Sequence, residues 1–203
     1  MGLYSRHLRP RLHDRQLGTA TFGVLRDRVC AGLAGDVLEI GFGSGLNLPH
    51  LPPAVTGVWA VEPSATALRL SRARQDAAAV PVVVAGDDAQ QLLLPDDRFD
   101  AVLCTFVLCG LPDAGRALTE VARVLRPGGA LHLVEHGLSP DPGVRRWQRR
   151  GNPVNRVLAG CSLDTDVAGL LAASPLTVVE LTTRYEEGVP RPAGHLFEGR
   201  ATA

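Results

Sequence analysis

Hydrophobic residues along this 203-residue chain follow two alternating patterns. Short apolar runs bounded by Gly, Pro or acidic residues predict buried β-strands, and they cover residues 36–40, 55–61, 80–86, 99–107 and 130–136. Apolar residues at helical spacing predict helices, and these cover 19–34, 64–79 and 113–126. Strands that alternate with helices indicate a parallel sheet, because two parallel strands need a crossover connection.

The pattern loosens beyond residue 140. Helical spacing covers residues 143–159 and 164–173, and two strand-like runs follow at 176–185 and 195–203. We expect those two runs to pair in antiparallel fashion at one edge of the sheet. The predicted fold is therefore α/β and Rossmann-like, with a seven-stranded mixed sheet that is mostly parallel and has helices on both faces.

Charge and apolar content exclude several kinds of partner. The chain carries 21 basic and 21 acidic residues, a formal net charge of zero, and nucleic-acid binding depends on a basic field, so we expect no nucleic-acid partner. The longest uncharged apolar run, residues 101–111, is too short to span a bilayer. Residues 1–15 lack the apolar core of a signal peptide, which favours a cytoplasmic protein.

Four cysteines are present, at positions 30, 104, 109 and 161. In a cytoplasmic protein they are expected to be reduced thiols. Their spacing matches no paired zinc pattern, so the sequence predicts no metal site. We expect Cys104 and Cys109 to act as small core residues, and the pattern assigns no role to Cys161.

The loop after the first predicted strand, "EIGFGSG", combines an acid with three alternating glycines: Glu39, Gly41, Gly43 and Gly45. A dinucleotide fingerprint would place its third glycine where Leu46 stands. An acid at the end of the strand repels a pyrophosphate and attracts an ammonium group. S-adenosylmethionine, a nucleoside with an amino-acid tail and no phosphate, therefore fits better than a nicotinamide dinucleotide. The remaining alternative is a glycine-rich turn beside an incidental acid.

Polar residues also follow the next two strands. Ligands of parallel sheets bind beyond the carboxyl ends of the strands, where Glu62, Asp88 and Ala89 are found. A carboxylate at Glu62 can accept hydrogen bonds from ribose hydroxyls, as in nicotinamide enzymes. Asp88 can accept from the adenine amino group while the Ala89 N–H donates to a ring nitrogen. Alternatively, Asp88 is a turn or helix-capping acid.

Together with "LPDDRFDAVLCTFVL" (94–108) and "EVARVLRPGGALHLVEHG" (120–137), these residues resemble the class I S-adenosylmethionine-dependent methyltransferases. The resemblance covers roughly residues 3–200. It is closest to a small bacterial branch that is similar to the animal thiol methyltransferases and, more distantly, to ubiquinone, menaquinone and phospholipid methyltransferases. It implies methyl transfer from S-adenosylmethionine by one domain, residues 1–203.

The resemblance divides that domain into an N-terminal helical cap (1–34), a cofactor-binding core (35–137), and insert helices with a C-terminal strand pair (138–203). It also implies a cofactor site with four parts. These are the methionine-side loop (Glu39, Gly41, Gly43, Gly45), the ribose side (Glu62 with Pro63), the adenine side (Asp88, Ala89) and the reacting end (Thr105, Phe106, with Tyr4 from the cap). Gln90 departs from the pattern, since relatives often carry Glu there.

Candidate catalytic residues follow the fifth strand. The sulfonium already activates its methyl group, so the protein mainly aligns the acceptor and excludes water. His136 is the candidate base, and Glu135 is its orienting partner or a cofactor contact. Alternatively, His136 only caps the strand or satisfies a backbone carbonyl.

The expected acceptor is small and fairly apolar, with a thiol ahead of a lipid amine or a quinol or phenol hydroxyl. A second hypothesis is a non-catalytic nucleoside-binding module with a methyltransferase fold. A third, a nicotinamide oxidoreductase, is disfavoured by Glu39 and Leu46. The basic run of residues 145–150 predicts either weak contact with anionic lipid or a substrate carboxylate, or a solvated helix face with Trp147 packed inward.

Overall fold

The computed structural model describes residues 2–203, so Met1 of the predicted cap and domain lies outside the described residues. Seven strands form one sheet: β1 (Gly35–Ile40), β2 (Val55–Val61), β3 (Val82–Gly86), β4 (Phe99–Thr105), β5 (Leu125–His136), β6 (Thr177–Tyr185) and β7 (His195–Thr202). Their spatial order is β3-β2-β1-β4-β5-β7-β6. β1 to β5 are parallel, whereas β7 is antiparallel to both β5 and β6. The predicted mixed sheet and its antiparallel C-terminal pair are confirmed.

Helices precede and connect the strands. Besides two short 3₁₀ turns (Leu48–His50 and Leu108–Gly110), they are a π-helical turn (Tyr4–Leu8), α1 (Arg9–Leu17), α2 (Ala20–Cys30), α3 (Ala65–Asp76), α4 (Ala114–Val124), α5 (Pro142–Leu158), α6 (Val167–Ala172) and the short α7 (Arg191–Gly194). Local sequence explains where three of them begin. Ser64, Asp113 and Asp141 each accept a hydrogen bond from a backbone N–H in the first turn of α3, α4 and α5.

Two apolar layers pack on opposite faces of the sheet. Successive side chains of a strand point to opposite faces, so Leu38 of β1 joins the layer that contains Leu118 of α4. Val37 joins the other layer, together with Leu25 of α2. All four of these side chains are fully buried. The central strands are therefore held on both faces, which fixes the positions of their carboxyl ends.

Two predicted boundaries are wrong in informative ways. The helix predicted over 113–126 ends at Val124, and β5 begins at Leu125 rather than residue 130. The "RPGG" turn forms a bulge in β5, since the register against β4 shifts there and Gly128 has a φ of 82°. The strand predicted over 99–107 ends at Thr105, because Phe106 takes a left-handed φ of 58°.

Helix α5 carries the basic run, and its aromatic residue faces outward. The side chain of Trp147 is 65% exposed, so the expectation that it packs inward is wrong. Gln148 occupies the buried position instead, and its amide donates to the carbonyl oxygens of Gly137 and Leu163. Among the helices of residues 2–203, none has the length and apolar character needed to cross a bilayer.

Candidate active site

The three glycines after β1 adopt the left-handed conformation, and they differ in their surroundings. Their φ angles are 68° at Gly41, 58° at Gly43 and 74° at Gly45. A Cβ at Gly41 would collide with the side chain of Val107, and one at Gly45 would press on neighbouring core atoms. A Cβ at Gly43 would meet its nearest described heavy atom, the Gly41 carbonyl oxygen, at 3.7 Å. Gly43 therefore faces open space, where a ligand can approach the backbone.

Glu39 is a buried acid with one unsatisfied oxygen. The side chain is 1% exposed, and its Oε1 accepts a hydrogen bond of 2.8 Å from Asn47 Nδ2. Oε2 is buried without a hydrogen-bond partner among residues 2–203. Burial raises the pKa of Glu39 to about 8. A ligand ammonium group would satisfy this oxygen, so the site fits the amino-acid tail of S-adenosylmethionine.

Glu62 links the loops that follow β1 and β2. Its Oε2 accepts from the Gly43 N–H at 2.7 Å, and its Oε1 accepts from the Ser64 N–H at 2.7 Å. Burial raises the pKa of this carboxyl group. Each carboxylate oxygen can accept a further hydrogen bond, so Glu62 fits the predicted ribose role. Pro63 follows it as an exposed residue at the edge of the sheet.

The loop after β3 is organised by Gln90. Asp88 is exposed, and its Oδ1 accepts from both the backbone N–H and the side-chain amide of Gln90, which lowers the pKa of Asp88. Gln90 Oε1 accepts in turn from the Asp113 N–H at 2.8 Å. An amide can donate and accept at once, whereas an ionised Glu can only accept. Asp88 thus makes the turn that was the alternative expectation, Ala89 beside it is buried, and the adenine contacts of both stay predictions.

At the end of β4, Thr105 and Phe106 border the same loop. Asn47 Nδ2 donates to Thr105 Oγ1 at 3.0 Å as well as to Glu39. The ring of Phe106 packs edge-to-face on Phe22 of α2, with centroids 5.4 Å apart. Asn47 therefore joins the acid of the first loop to the end of β4. Sequence reasoning missed this residue, and its only signal is its position directly after the glycine loop.

Glu135 holds the backbone of the loop after β4. Its side chain is fully buried, and Oε1 accepts from the N–H groups of Val107 and Leu108 at 2.5 and 2.8 Å. Burial raises the pKa of the carboxyl group, although these hydrogen bonds oppose the shift. These contacts give Glu135 a positioning role toward the loop that contains Phe106.

His136 lies beside two cysteines. Potential ligand atoms of Cys109, His136 and Cys161 all lie within 4.8 Å of one another. A hydrogen bond from Cys109 and the nearby His136 lower the pKa of Cys161 to about 4. Burial opposes a charge on His136, but Cys161 and Glu135 together outweigh it and raise the pKa of the imidazole. A cavity of about 350 Å³ adjoins both cysteines.

The sequence did not reveal this cluster, because its members come from three separate segments. Cys109 follows β4, His136 ends β5 and Cys161 follows α5. No short spacing motif connects them. Only the adjacent positions of β4 and β5 in the sheet, with the return of the chain after α5, bring them together.

The N-terminal segment contacts two helices. The hydroxyl of Tyr4 donates to the Leu158 carbonyl oxygen at the end of α5, at 2.8 Å. His7 Nδ1 lies 3.3 Å from Thr66 Oγ1 in the first turn of α3. The segment thus reaches from α5 to α3. The cofactor contact of Tyr4 stays a prediction.

This fold is Rossmann-like, and the buried acid and open glycine loop at the carboxyl edge of its sheet fit a nucleoside with an amino-acid tail. A sequence profile described as "Methyltransferase domain" matches residues 38–133. Thiol S-methyltransferase TMT1B of Rattus norvegicus is 33% identical over 172 residues, which cover 81% of this chain and 69% of that protein. The chain therefore belongs to the S-adenosylmethionine-dependent methyltransferase family, and S-adenosylmethionine is its cofactor.

Other similar proteins carry different acceptor names. Thiol S-methyltransferase TMT1A of Homo sapiens is 36% identical over 134 residues, 63% of this chain and 54% of that protein. Phosphatidylethanolamine N-methyltransferase of Cereibacter sphaeroides is 35% identical over 108 residues, 50% of this chain and 51% of that protein. Both matches span about half the length of the relative.

A solved structure shows the same fold over almost the whole chain. It is a SAM-dependent methyltransferase from Thermotoga maritima with a TM-score of 0.65 and 21% sequence identity. The similarity covers 98% of this chain and 97% of that one. The arrangement of strands and helices described above is therefore that of a methyltransferase fold.

Proposed function

We propose that the protein transfers a methyl group from S-adenosylmethionine to a small thiol. The observation that carries this proposal is the cavity of about 350 Å³ that adjoins the loop after β4. Its lining includes Cys109, Leu111, Pro112, Arg156 and Cys161. This volume suits a small molecule, and two of the similar proteins are named thiol S-methyltransferases.

On the cofactor side, the proposal assigns the amino-acid tail to Glu39, the ribose to Glu62 and the adenine to Asp88 with Ala89. When bound, S-adenosylmethionine supplies an electrophilic methyl group. The Glu39 oxygen that has no partner among residues 2–203, together with the open face of Gly43, supports this placement. Glu135 supports the loop of Thr105 and Phe106, which we assign to the reacting end.

On the acceptor side, the chain has to hold the thiol in line with the bond between the methyl group and the sulfonium sulfur, and it has to favour the ionised thiol. A free thiol has a pKa of about 8.5, so it is partly ionised near neutral pH and needs only modest help. Arg156 lies at the edge of the cavity, and its Nε donates to Ser162 Oγ at 2.9 Å. The guanidinium group there favours a thiolate over a neutral thiol.

A lipid amine is the second candidate acceptor, and the surface of α5 favours it. Trp147, Val154 and Val157 are 61–68% exposed, and Arg149 and Arg150 lie on the same helix. Exposed apolar and basic residues on one helix are typical of contact with an anionic lipid surface. The similar phosphatidylethanolamine N-methyltransferase carries an acceptor of that class in its name.

The test measures methylated product by mass spectrometry from purified protein, labelled S-adenosylmethionine and a matched acceptor panel. The panel contains a small aromatic thiol, its hydroxyl analogue, a quinol, and phosphatidylethanolamine in vesicles. We expect the S-methylated thiol and no methylated hydroxyl analogue. Product only from the lipid amine or only from the quinol would replace the thiol assignment. Tight cofactor binding without any product would favour the non-catalytic binding module.

A pair of variants tests the cavity. Pro112 lines it, whereas Pro95 is an exposed residue outside its lining. We expect Pro112→Trp to lower kcat/KM for the thiol by about tenfold while the cofactor Kd stays unchanged, because one tenfold step corresponds to about 1.4 kcal/mol of lost contact. Pro95→Trp serves as the matched control. Equal kcat/KM in both variants would place the acceptor elsewhere.

A further inference from the structure

We propose that Cys109, His136 and Cys161 form a binding site for a thiophilic divalent metal ion of the zinc class. The three side chains bring two sulfur atoms and an imidazole nitrogen within 4.8 Å of one another. Zinc binds cysteine sulfur at about 2.3 Å and histidine nitrogen at about 2.0–2.1 Å, so tetrahedral ligand atoms lie roughly 3.5–3.8 Å apart. Small side-chain rotations would therefore close the cluster around one ion.

The chemistry of the ligands selects the metal. Thiolate and imidazole ligands favour zinc and similar borderline or soft ions, whereas magnesium and calcium prefer oxygen ligands. Two thiolates would also neutralise the charge of a divalent cation in a partly buried site. His136 is 8% exposed, and its Nδ1 has no hydrogen-bond partner within the described part of the chain, residues 2–203.

Surrounding hydrogen bonds hold both cysteine-bearing segments in place. The Ser162 N–H donates to the Cys109 carbonyl oxygen at 2.8 Å, which ties the loop after α5 to the loop after β4. Asn155 Nδ2 donates to the carbonyl oxygen of Cys161 at 2.8 Å and approaches its Sγ at 3.3 Å. Groups that orient metal ligands in this way raise metal affinity.

Three protein ligands leave one coordination position open. Cys109 and Cys161 line the 350 Å³ cavity, so the fourth position faces space that a small molecule can enter. Structural zinc sites are usually closed by four protein ligands, while sites that bind substrates keep one position free. We assign this position to the acceptor thiol, an assignment that rests on the proposed function. In this arrangement His136 is a ligand and not the general base.

A competing explanation needs no metal. Arg156 lines the same cavity and the guanidinium of Arg9 lies against Gly160, so both cations can stabilise a free thiolate at Cys161. Such a thiolate would react rapidly with alkylating reagents whether or not zinc is present. Metal binding predicts the opposite, since a coordinated thiolate is protected.

The test uses the whole 203-residue chain, reduced and freed of metal by a chelator, and measures metal binding in the absence of any acceptor. We expect one Co²⁺ per chain, a sulfur-to-cobalt charge-transfer band, displacement by Zn²⁺, and protection of Cys161 from alkylation by Zn²⁺. A wild-type protein that gives no such band, or whose Cys161 alkylation is unchanged by Zn²⁺, would overturn the site. Because turnover is not measured, failure of the thiol assignment would leave this result intact.

Variants then assign the ligands. Cys161→Ser and Cys109→Ser should each weaken Co²⁺ binding by about 100-fold or more, because loss of a group that only orients a ligand already costs about 10–100-fold and a direct ligand contributes more. Cys30→Ser is the control, because Cys30 is buried in the apolar layer that contains Val37 and Leu25, away from the cluster. Circular dichroism and the cofactor Kd check that each variant is folded. Unchanged Co²⁺ affinity in a folded Cys161→Ser protein would contradict the proposal.

Discussion

Gly43 differs from the neighbouring glycines because the protein leaves the space beside its Cα open, as the proposed contact with a ligand requires. Its N–H donates to Glu62, and a Cβ at this position would have room within the protein. The neighbouring Gly41 has no such room, because Val107 packs against it. The sequence predicted a glycine loop that approaches the cofactor, but it gave all three glycines the same role. Only the packing around each one separates them.

We predict that Gly43→Ala lowers S-adenosylmethionine affinity by tenfold or more while the protein stays folded. A left-handed non-glycine residue costs about 1–2 kcal/mol. Gly128→Ala carries the same backbone cost, since its φ is 82° and its Cβ would meet no heavy atom of residues 2–203 within 4 Å. Calorimetric titration of both variants separates ligand contact from strain. Equal S-adenosylmethionine affinities in the two variants would mean that the Gly43 loop does not contact the cofactor.

Glu39 makes the stability of the cofactor-free protein depend on pH. Burial raises its pKa from 4.5 to about 8, so the folded state binds more protons than the unfolded state between these values. Its contribution is therefore fully present below pH 4.5 and is lost as the pH rises through about 8. Glu39 can lower the free energy of unfolding by at most about 1.4 kcal/mol for each pH unit in this range.

We predict that Glu39→Gln removes the pH dependence of the unfolding free energy that Glu39 causes. The variant should therefore gain stability relative to the wild type as the pH rises. Chemical denaturation of both proteins from pH 5 to 9 measures the difference curve, which cancels the titration of other groups. Saturating S-adenosylmethionine should reduce the difference, because its ammonium group favours the carboxylate. A flat difference curve would mean that Glu39 stays ionised in the folded protein.

Among the polar residues of the site, the acids were predictable and the amides were not. Glu39, Glu62 and Asp88 end or follow predicted strands, so their shared edge could be inferred from the sequence. Asn47 and Gln90 act through hydrogen bonds to partners distant in sequence. No local periodicity marks such a contact, and it becomes visible only in three dimensions.

At the scale of elements, the loop after β4 depends on a side chain from β5. Both N–H groups bonded to Glu135 belong to the turn that follows Phe106. The sequence pattern places the end of β4 two residues too late. The apolar run continues through "CTFV", whereas the backbone leaves the strand at Phe106. A left-handed non-glycine residue is uncommon, so hydrophobic pattern alone does not mark this end.

We predict that Glu135→Ala lowers the free energy of unfolding by about 2–4 kcal/mol, because the buried Leu108 N–H and the partly buried Val107 N–H lose their acceptor. Glu135→Gln keeps a carbonyl acceptor and should lose about 1 kcal/mol. Denaturant unfolding and methyl-transfer rates are measured together. If both variants were stable and equally inactive, the carboxylate would act in the chemistry and not through the loop.

For the whole molecule, strand order decides which residues meet. The alternation of strands and helices was sufficient to predict a parallel sheet with an antiparallel C-terminal pair, and the structure confirms it. Alternation does not reveal that α5 returns the chain so that Cys161 reaches Cys109 and His136. The placement of the proposed cofactor residues at one edge of the sheet was therefore predictable, because it follows from consecutive strand ends. The placement of the proposed acceptor residues was not, because they come from distant segments.

The most direct test of the account is a calorimetric titration of the purified protein with S-adenosylmethionine and, separately, with NAD. Glu62 supports the glycine loop and is assigned to the ribose, so the Glu62→Gln variant is titrated alongside. We predict one S-adenosylmethionine per wild-type chain, no measurable NAD binding, and a Kd raised about tenfold or more in the variant. Binding of NAD without S-adenosylmethionine, or an unchanged Kd in the variant, would contradict the assignment of the cofactor site.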